Sequence, residues 1–411
     1  MLVNEIFNDN CTGEKVAAHI ISIAFESPHN VTNGYNLRVH NLLINAALRS
    51  DTEVHCIAPV TAANIDAALT WAVSNNIRFH GVLLEREMQY DKSLRAIFRK
   101  EGGLLLSSIA NTQSIILMHG LISIIDFADL ELSERSIADM IDEVGPLMIR
   151  NIKKHLAHGR LTELLRAVKY LWIYYSKTIH LVGRRYRHIT VVSHDDALRL
   201  RKLLPSKSII VIPNGVDLPD HFSRNPSFEK PIVLFHGVYG YEPNEQAALF
   251  LIKRVAPLLG KKWPHCKVVI VGRNPTRRML DAACSAFNVE IVGEVDNMSD
   301  HLFAASVGAY PIFTRTGLQN KILEAWSHGL PVVTTPGIMS VFSAFSCDAS
   351  QCARTAVSEN EFVEQICALL CDAASCSQLS THSSEFVQKY FGWQGVVEQY
   401  LQLGTGNASI G

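Results

Sequence analysis

A chain of 411 residues is too long for one ordinary hydrophobic core, so two domains of roughly 150 to 200 residues each are expected. Apolar residues make up 48% and charged residues 19%, which excludes a disordered chain, and a formal net charge of −1 excludes whole-molecule attraction to nucleic acid. Residues 1–15 carry Asn, Asp and Glu where a secretory signal needs a basic start and an apolar run, so a cytoplasmic protein with reduced thiols at its nine cysteines is expected.

Ala18 to Phe25 is an apolar, β-branched run closed by Pro28, and Gly34 marks a turn into helical periodicity at Leu37, Leu42, Leu43, Ala46 and Ala47. Val54 to Ala58, Ile77 to Leu84, Ser114 to Met118 and Leu121 to Ile125 read as further strands, with a helix over Ala62 to Val73. The span Gly102 to Ile125 has no Asp, Glu, Lys or Arg, but Ser107, Ser108, Asn111, Thr112 and Gln113 divide it into pieces too short to cross a bilayer, and two buried strands are expected there. Thr190 to Ser193 and Ser208 to Ile212 close the first series, and Pro213-Asn214-Gly215 is a turn signal. This gives a first domain over 15–216 and a linker over 217–230.

A second alternating series begins at Pro231. Strands are expected at Ile232 to Phe235, Lys267 to Val271, Val289 to Val292, Gly308 to Pro311 and Pro331 to Thr335, with helices starting near Asn244, Arg277, Met298 and Leu318. The second domain covers 231–382, and a last helix over 383–403 is long enough to pack back on the first. The fold class is α/β, with two doubly wound, Rossmann-like domains whose ligands sit at the carboxyl edges of their sheets. Cys367, Cys371 and Cys376 have the spacing of a helical packing face and match no zinc pattern, so no metal is expected.

The stretch Arg315-Thr316-Gly317-Leu318-Gln319-Asn320-Lys321-Ile322-Leu323-Glu324-Ala325 puts a glycine turn at a helix start. Unpaired N–H groups and the helix dipole favour a diphosphate there, and Lys321 adds a full charge. Glu324 shares a helical face with Asn320 and Lys321, where its carboxylate can accept from both hydroxyls of a ribose.

Together with Val271-Gly272-Arg273-Asn274-Pro275, Gly293-Glu294-Val295 and Pro213-Asn214-Gly215-Val216-Asp217, this stretch resembles retaining glycosyltransferase family 4, and within it the exopolysaccharide-associated sugar transferases. The resemblance runs from Ala18 to about Tyr400. It implies a GT-B fold with two domains facing across a cleft, a nucleotide-sugar donor on the C-terminal domain, an acceptor on the N-terminal side, and transfer with retention and without a bound metal or cofactor. Glu324 resembles the second glutamate of the family's paired motif, which binds ribose, while Thr316 stands where the first glutamate usually lies. Gly317, Gln319 and Asn320 would meet the sugar and diphosphate, and the turn through Val295 resembles the loop that reads the base.

A departing diphosphate must be met by cations and N–H dipoles, for which Arg273 and Lys321 are the candidates. Many members carry an Arg and a Lys after the first strand of the C-terminal domain, whereas here the loop runs His236 to Asn244 with neither. Gly237 and Asn274 are assigned to the donor through backbone and amide contacts. In the first domain Gly34 resembles the family's glycine loop, Arg38 follows one helical turn later, His119 ends a strand within reach of a sugar, and Asp129 lies in an acidic segment, Ile125 to Arg135, similar to one in the exopolysaccharide group. Two carboxylates near a sugar also suit a glycoside hydrolase, but a hydrolase has no use for a nucleotide site.

Between residues 150 and 187 ten Lys and Arg face the single acid Glu163, interleaved with Tyr170, Trp172, Tyr174 and Tyr175. Such a segment is suited either to a solvated helix pair or to an anionic membrane surface carrying lipid-linked acceptors. No nucleic-acid module accompanies it. The leading reading is sugar transfer to a glycan or lipid-linked acceptor in bacterial surface polysaccharide synthesis. The alternatives are a nucleotide-sugar epimerase on the same fold and a non-catalytic glycan-binding scaffold. A nicotinamide-dependent oxidoreductase lacks its Gly-x-Gly-x-x-Gly turn.

Overall fold

The computed structural model describes residues 2–3, 18–31, 33–88, 91–130, 136–219, 224, 226–227, 229–313 and 318–405. The chain divides into two compact units, Met1–Gly215 with Trp393–Gly411, and Val216–Gly392.

In unit 1 the strands are β1 (Leu2–Val3), β2 (Ala18–Ala24), β3 (Thr52–Thr61), β4 (Arg78–Leu84), β5 (Ser114–His119), β6 (Ser136–Ile141), β7 (His188–Val191) and β8 (Ser208–Val211). They form one sheet in the order β1-β4-β3-β2-β5-β6-β7-β8, parallel except for β1. The helices are α1 (Gly34–Ala47), α2 (Ile65–Ser74), α3 (Lys92–Ile109), α4 (Gly120–Asp126), α5 (Gly145–Ala157), α6 (Leu161–Ile173), α7 (Ile179–Arg185) and α8 (His194–Leu203). Period-two alternation sends Ile21 and Ile23 of β2 into one core and Ile20 into the other, so both faces of the sheet are covered. Asn33 opens α1 by accepting from the Asn36 N–H, and Ser193 opens α8 in the same way from Asp196.

Unit 2 has β9 (Ile232–His236), β10 (Lys267–Val271), β11 (Val289–Gly293), β12 (Val307–Tyr310), β13 (Val332–Thr334) and β14 (Ala353–Thr355), all parallel, in the order β11-β10-β9-β12-β13-β14. Its helices are α9 (Glu242–Phe250), α10 (Ala256–Lys262), α11 (Arg277–Cys284), α12 (Met298–Ala304), α13 (Asn320–Ser327), α14 (Pro336–Ser343), α15 (Glu359–Cys371) and α16 (Ala373–Phe391). A last helix, α17 (Trp393–Thr405), belongs to unit 1. Both units contain the order 3-2-1-4-5-6 of a doubly wound dinucleotide-type fold, with the reversal between β2 and β5 in one and between β9 and β12 in the other.

Four expectations change. Leu121 to Ile125 is not a strand but lies in α4: Gly120, at φ +75, turns the chain straight after β5, and a Cβ there would come within 2.7 Å of Phe25. A short apolar run carries no period that separates the two states. Gly102 to Ile109 likewise completes α3, and β6 had no counterpart in the sequence reading. The single helix over 383–403 is two, broken at Gly392; α16 stays in the core of unit 2, while Trp393, Val396 and Tyr400 of α17 enter a core of unit 1. Gly215 makes room for Trp393, since a Cβ would lie 2.2 Å from its ring. Among the described residues no helix is long and apolar enough to cross a membrane.

Candidate active site

Because the strands of unit 2 are parallel, their carboxyl ends bring His236, Gly272, Gly293 and Tyr310 to one edge. The loops there interlock through the backbone. The Gly237 N–H donates to Val271 O (3.1 Å), Gly272 N–H to Gly293 O (2.6 Å) and Tyr239 N–H to Arg273 O (2.9 Å). Gly272, at φ +139, admits no side chain, as a Cβ would sit 1.9 Å from Gly237 O.

At the switch point a relay crosses from β12 to β9 to α13. The Tyr310 hydroxyl lies 2.9 Å from His236 Nδ1, and His236 Nε2 lies 3.0 Å from Glu324 Oε2. Burial raises the Tyr310 phenol well above its usual range, so it stays a donor to His236 Nδ1, and the carboxylate of Glu324 accepts from His236 Nε2–H. His236 is 3% exposed, but the Glu324 side chain is 39% exposed, which leaves its carboxylate oriented from behind and open in front. Sequence reasoning placed His236 in a loop and gave Tyr310 no role; a His and a Tyr ending the two switch-point strands were the signal available.

Lys321 follows Asn320 in the first turn of α13, where its Nζ donates to Asn244 Oδ1 and lies 5.7 Å from the Phe235 ring centroid. A Cβ on Gly237 would approach Nζ to 3.4 Å, so that glycine lies beside the ammonium. Burial lowers the Lys321 pKa to about 8, with Glu324 working against it. The ammonium is thus charged below that pH and loses its charge as pH rises through it. Affinity for a diphosphate ligand at this helix start is expected to weaken between about pH 7 and 9, measured by calorimetry, and a Lys321→Met variant should lose that dependence.

The other residues expected in this unit lie on the same loops. Arg273 is exposed, with Nε 3.8 Å from Glu294 Oε1, and Asn274 is exposed with φ +57. Val295 packs on the core, and Gln319 stands at the N-cap of α13 without a side-chain bond to its first turn. Thr316 and Gly317 lie outside the described residues, as do Glu131 to Arg135 of the acidic segment.

In unit 1 the structure corrects one assignment. Arg38 faces no ligand: it is 1% exposed, and its guanidinium donates to Asp139, Pro213 O, Asn214, Ile212 O and Tyr400. Its charge is committed to tying α1, β6, the 212–214 turn and α17 together. Asp129 is exposed, 3.4 Å from Arg99 and 3.9 Å from Arg185. His119, beside Ala24 at the switch point, is wholly buried; Nδ1 bonds Asp139 (2.9 Å) and Nε2 has no partner among the described residues. A Cβ on Gly34 would touch nothing within 4 Å, so packing inside the unit does not explain that glycine. A cavity of about 330 Å³ opens at the carboxyl ends of β2, β3 and β4, lined by Glu26, Asn30, Asn36, Thr61, Asn64 and Arg86 among others.

Two Rossmann-like units of this topology make the GT-B fold. Residues 230–372 match the family described as "Glycosyl transferases group 1". Among solved structures, HepE of Anabaena in complex with UDP is similar at a TM-score of 0.64 and 14% identity, over 95% of this chain and 100% of that one. Sucrose-phosphate synthase from Thermosynechococcus elongatus is similar at 0.59 and 15%, over 95% and 98%. WaaG, a glycosyltransferase involved in lipopolysaccharide biosynthesis, is similar at 0.57 and 11%, over 94% and 100%. At these identities the shared property is the fold. No curated protein matches the chain in sequence.

Proposed function

We propose that the chain is a metal-independent, retaining glycosyltransferase that takes a nucleotide-diphosphate sugar on unit 2 and transfers the sugar to a glycan or lipid-linked acceptor in surface polysaccharide synthesis. The observation that carries this reading is Glu324, braced by His236 and Tyr310 at the switch point, one turn beyond Lys321 at the start of α13. In it the carboxylate holds the ribose, Lys321 and Arg273 meet the diphosphate as its bond to the anomeric carbon breaks, and the turn through Val295 faces the base. The group 1 match over 230–372 and the UDP bound to HepE favour the same donor class. The polar cavity of unit 1 has the volume of a small-ligand pocket and is assigned to the acceptor.

The test is a thermal-shift panel of nucleotide sugars followed by product analysis with and without an acceptor. A ligand bound only by the native state raises its melting temperature by mass action. Sugar transferred with an unchanged anomeric configuration supports the reading. An epimerised donor formed without acceptor, or no stabilisation by any nucleotide, overturns it.

Membrane contact is part of the proposal. Helices α5 and α6 expose Leu156, Leu161, Leu165 and Trp172 among the basic residues of 150–187, and α6 buries none of its side chains. This face is assigned to anionic lipid. The chain is expected to co-sediment with phosphatidylglycerol vesicles but not with phosphatidylcholine vesicles, and a Leu161→Asp/Leu165→Asp variant should stay in the supernatant.

A further inference from the structure

Away from the carboxyl edge, three histidines and a glutamate meet near the amino-terminal ends of β2, β3 and β4. Register pairs His19 with Glu53, Ile21 with His55 and Ile57 with His80, so the four polar side chains project from one face of the sheet. His55 Nε2 lies 3.2 Å from Glu53 Oε1, and the His19 and His55 rings meet edge to face at 4.6 Å. One ligand atom from each of His19, Glu53 and His55 falls within 4.8 Å of the others. A tetrahedral ion with bonds of 2.0 to 2.1 Å separates its ligands by about 3.3 Å, so the His55–Glu53 edge already has that length and His19 has to close in.

The outer partners are those such a site needs. His55 Nδ1 lies 2.9 Å from His80 Nε2, and His19 Nδ1 lies 2.7 Å from Ser114 Oγ, which in turn donates to Asn111. Without an ion, His55 Nε2–H donates to Glu53; on metal binding that proton would move to Nδ1, where His80 Nε2 can accept it, and Ser114 Oγ can accept from His19 Nδ1–H, which frees the Nε2 lone pairs to ligate.

We propose that His19, Glu53 and His55 form a binding site for a divalent transition-metal ion of the zinc class, with His80 and Ser114 as positioning residues. Two imidazoles and one carboxylate suit zinc and not magnesium or calcium, which take oxygen ligands. Glu53, 27% exposed at its side chain, leaves the fourth position to water. The ion would brace β2 against β3 and take no part in sugar transfer. One group competes: Arg78 Nη1 lies 2.7 Å from Glu53 Oε1, and at 39% exposure its guanidinium can move into solvent when a metal displaces it. No sequence spacing reveals the site, because its ligands come from neighbouring strands.

Metal-stripped full-length protein is titrated with Zn²⁺ by calorimetry and thermal shift, and with Co²⁺ by visible absorption, after circular dichroism has shown each variant folded. One ion per chain is expected, with Co²⁺ bands free of thiolate charge transfer. Affinity should fall roughly 100-fold or more in Glu53→Gln and His19→Gln, and about 10- to 100-fold in His80→Phe. Arg78→Ala should bind more tightly, a gain that a loose surface site does not show. The assignment is overturned if Zn²⁺ uptake is absent, if it is unchanged in Glu53→Gln, if Arg78→Ala fails to tighten it, or if Co²⁺ reports cysteine ligation.

Discussion

Glu324→Ala is expected to weaken UDP-sugar binding by roughly 150-fold, about 3 kcal/mol, the worth of two hydrogen bonds to a charged acceptor less what water recovers. The loss should be steep because the carboxylate is held in place before any ligand arrives: Tyr310 fixes His236 and His236 fixes Glu324. The relay supplies its own control. Tyr310→Phe removes a single hydroxyl in a buried position, leaves Glu324 in place but less firmly oriented, and should cost about 10-fold. Arg273→Ala stands in contrast, since an exposed cation on a loop contributes more to the departing diphosphate than to the resting donor, and the effect should appear in kcat. Calorimetry with UDP and steady-state kinetics separate the two. Undiminished UDP affinity in Glu324→Ala would remove the carboxylate from the donor site and with it the main support for the functional reading.

Arg38→Met should destabilise unit 1 by about 3 to 5 kcal/mol, the range for breaking a buried ion pair from one side. Arg38 and Asp139 are both fully enclosed, with Arg38 Nε 3.1 Å from Asp139 Oδ2. Burial works to raise the Asp139 carboxyl, but Arg38 and His119 outweigh it and hold the group below the ordinary carboxylate range. The sign follows: a depressed carboxyl contributes its stability at neutral pH and loses it only as acid takes the pH down through the folded-state value. In Arg38→Met the carboxylate keeps Thr190 and His119 but has no counter-ion, and the carbonyls of Ile212 and Pro213 and the hydroxyl of Tyr400 lose a donor. Urea unfolding should therefore show an earlier transition for unit 1, with the Val216–Gly392 unit unchanged. An Arg38→Met/Asp139→Leu chain should recover part of the loss. A midpoint unmoved by Arg38→Met would mean that the guanidinium is not the tie its hydrogen bonds describe.

Arg38 also shows where sequence reasoning reaches its limit. Its place one helical turn after Gly34 was legible, but the residues that enclose it lie 101, 175 and 362 positions away, at Asp139, Pro213 and Tyr400. The neighbours of Asp129 were hidden for the same reason, because Arg99 and Arg185 arrive on other elements. Glu324 and Lys321 differ in this respect. Both lie within one short helix, where spacing along the chain fixes which side chains share a face, so their juxtaposition needed no long-range contact.

The same division holds for the fold. Apolar runs at strand length, separated by helical periods, were enough to read two α/β domains, since each strand buried on both faces must be apolar along its own length. Strand order was not readable from any of them. That His236 stands next to Tyr310, that His119 stands beside Ala24, and that α17 leaves α16 at Gly392 to join the other unit all follow from which strands became neighbours and which faces needed cover. Those are properties of the packed molecule, set by contacts between residues whose separation along the chain carries no information about their distance in space.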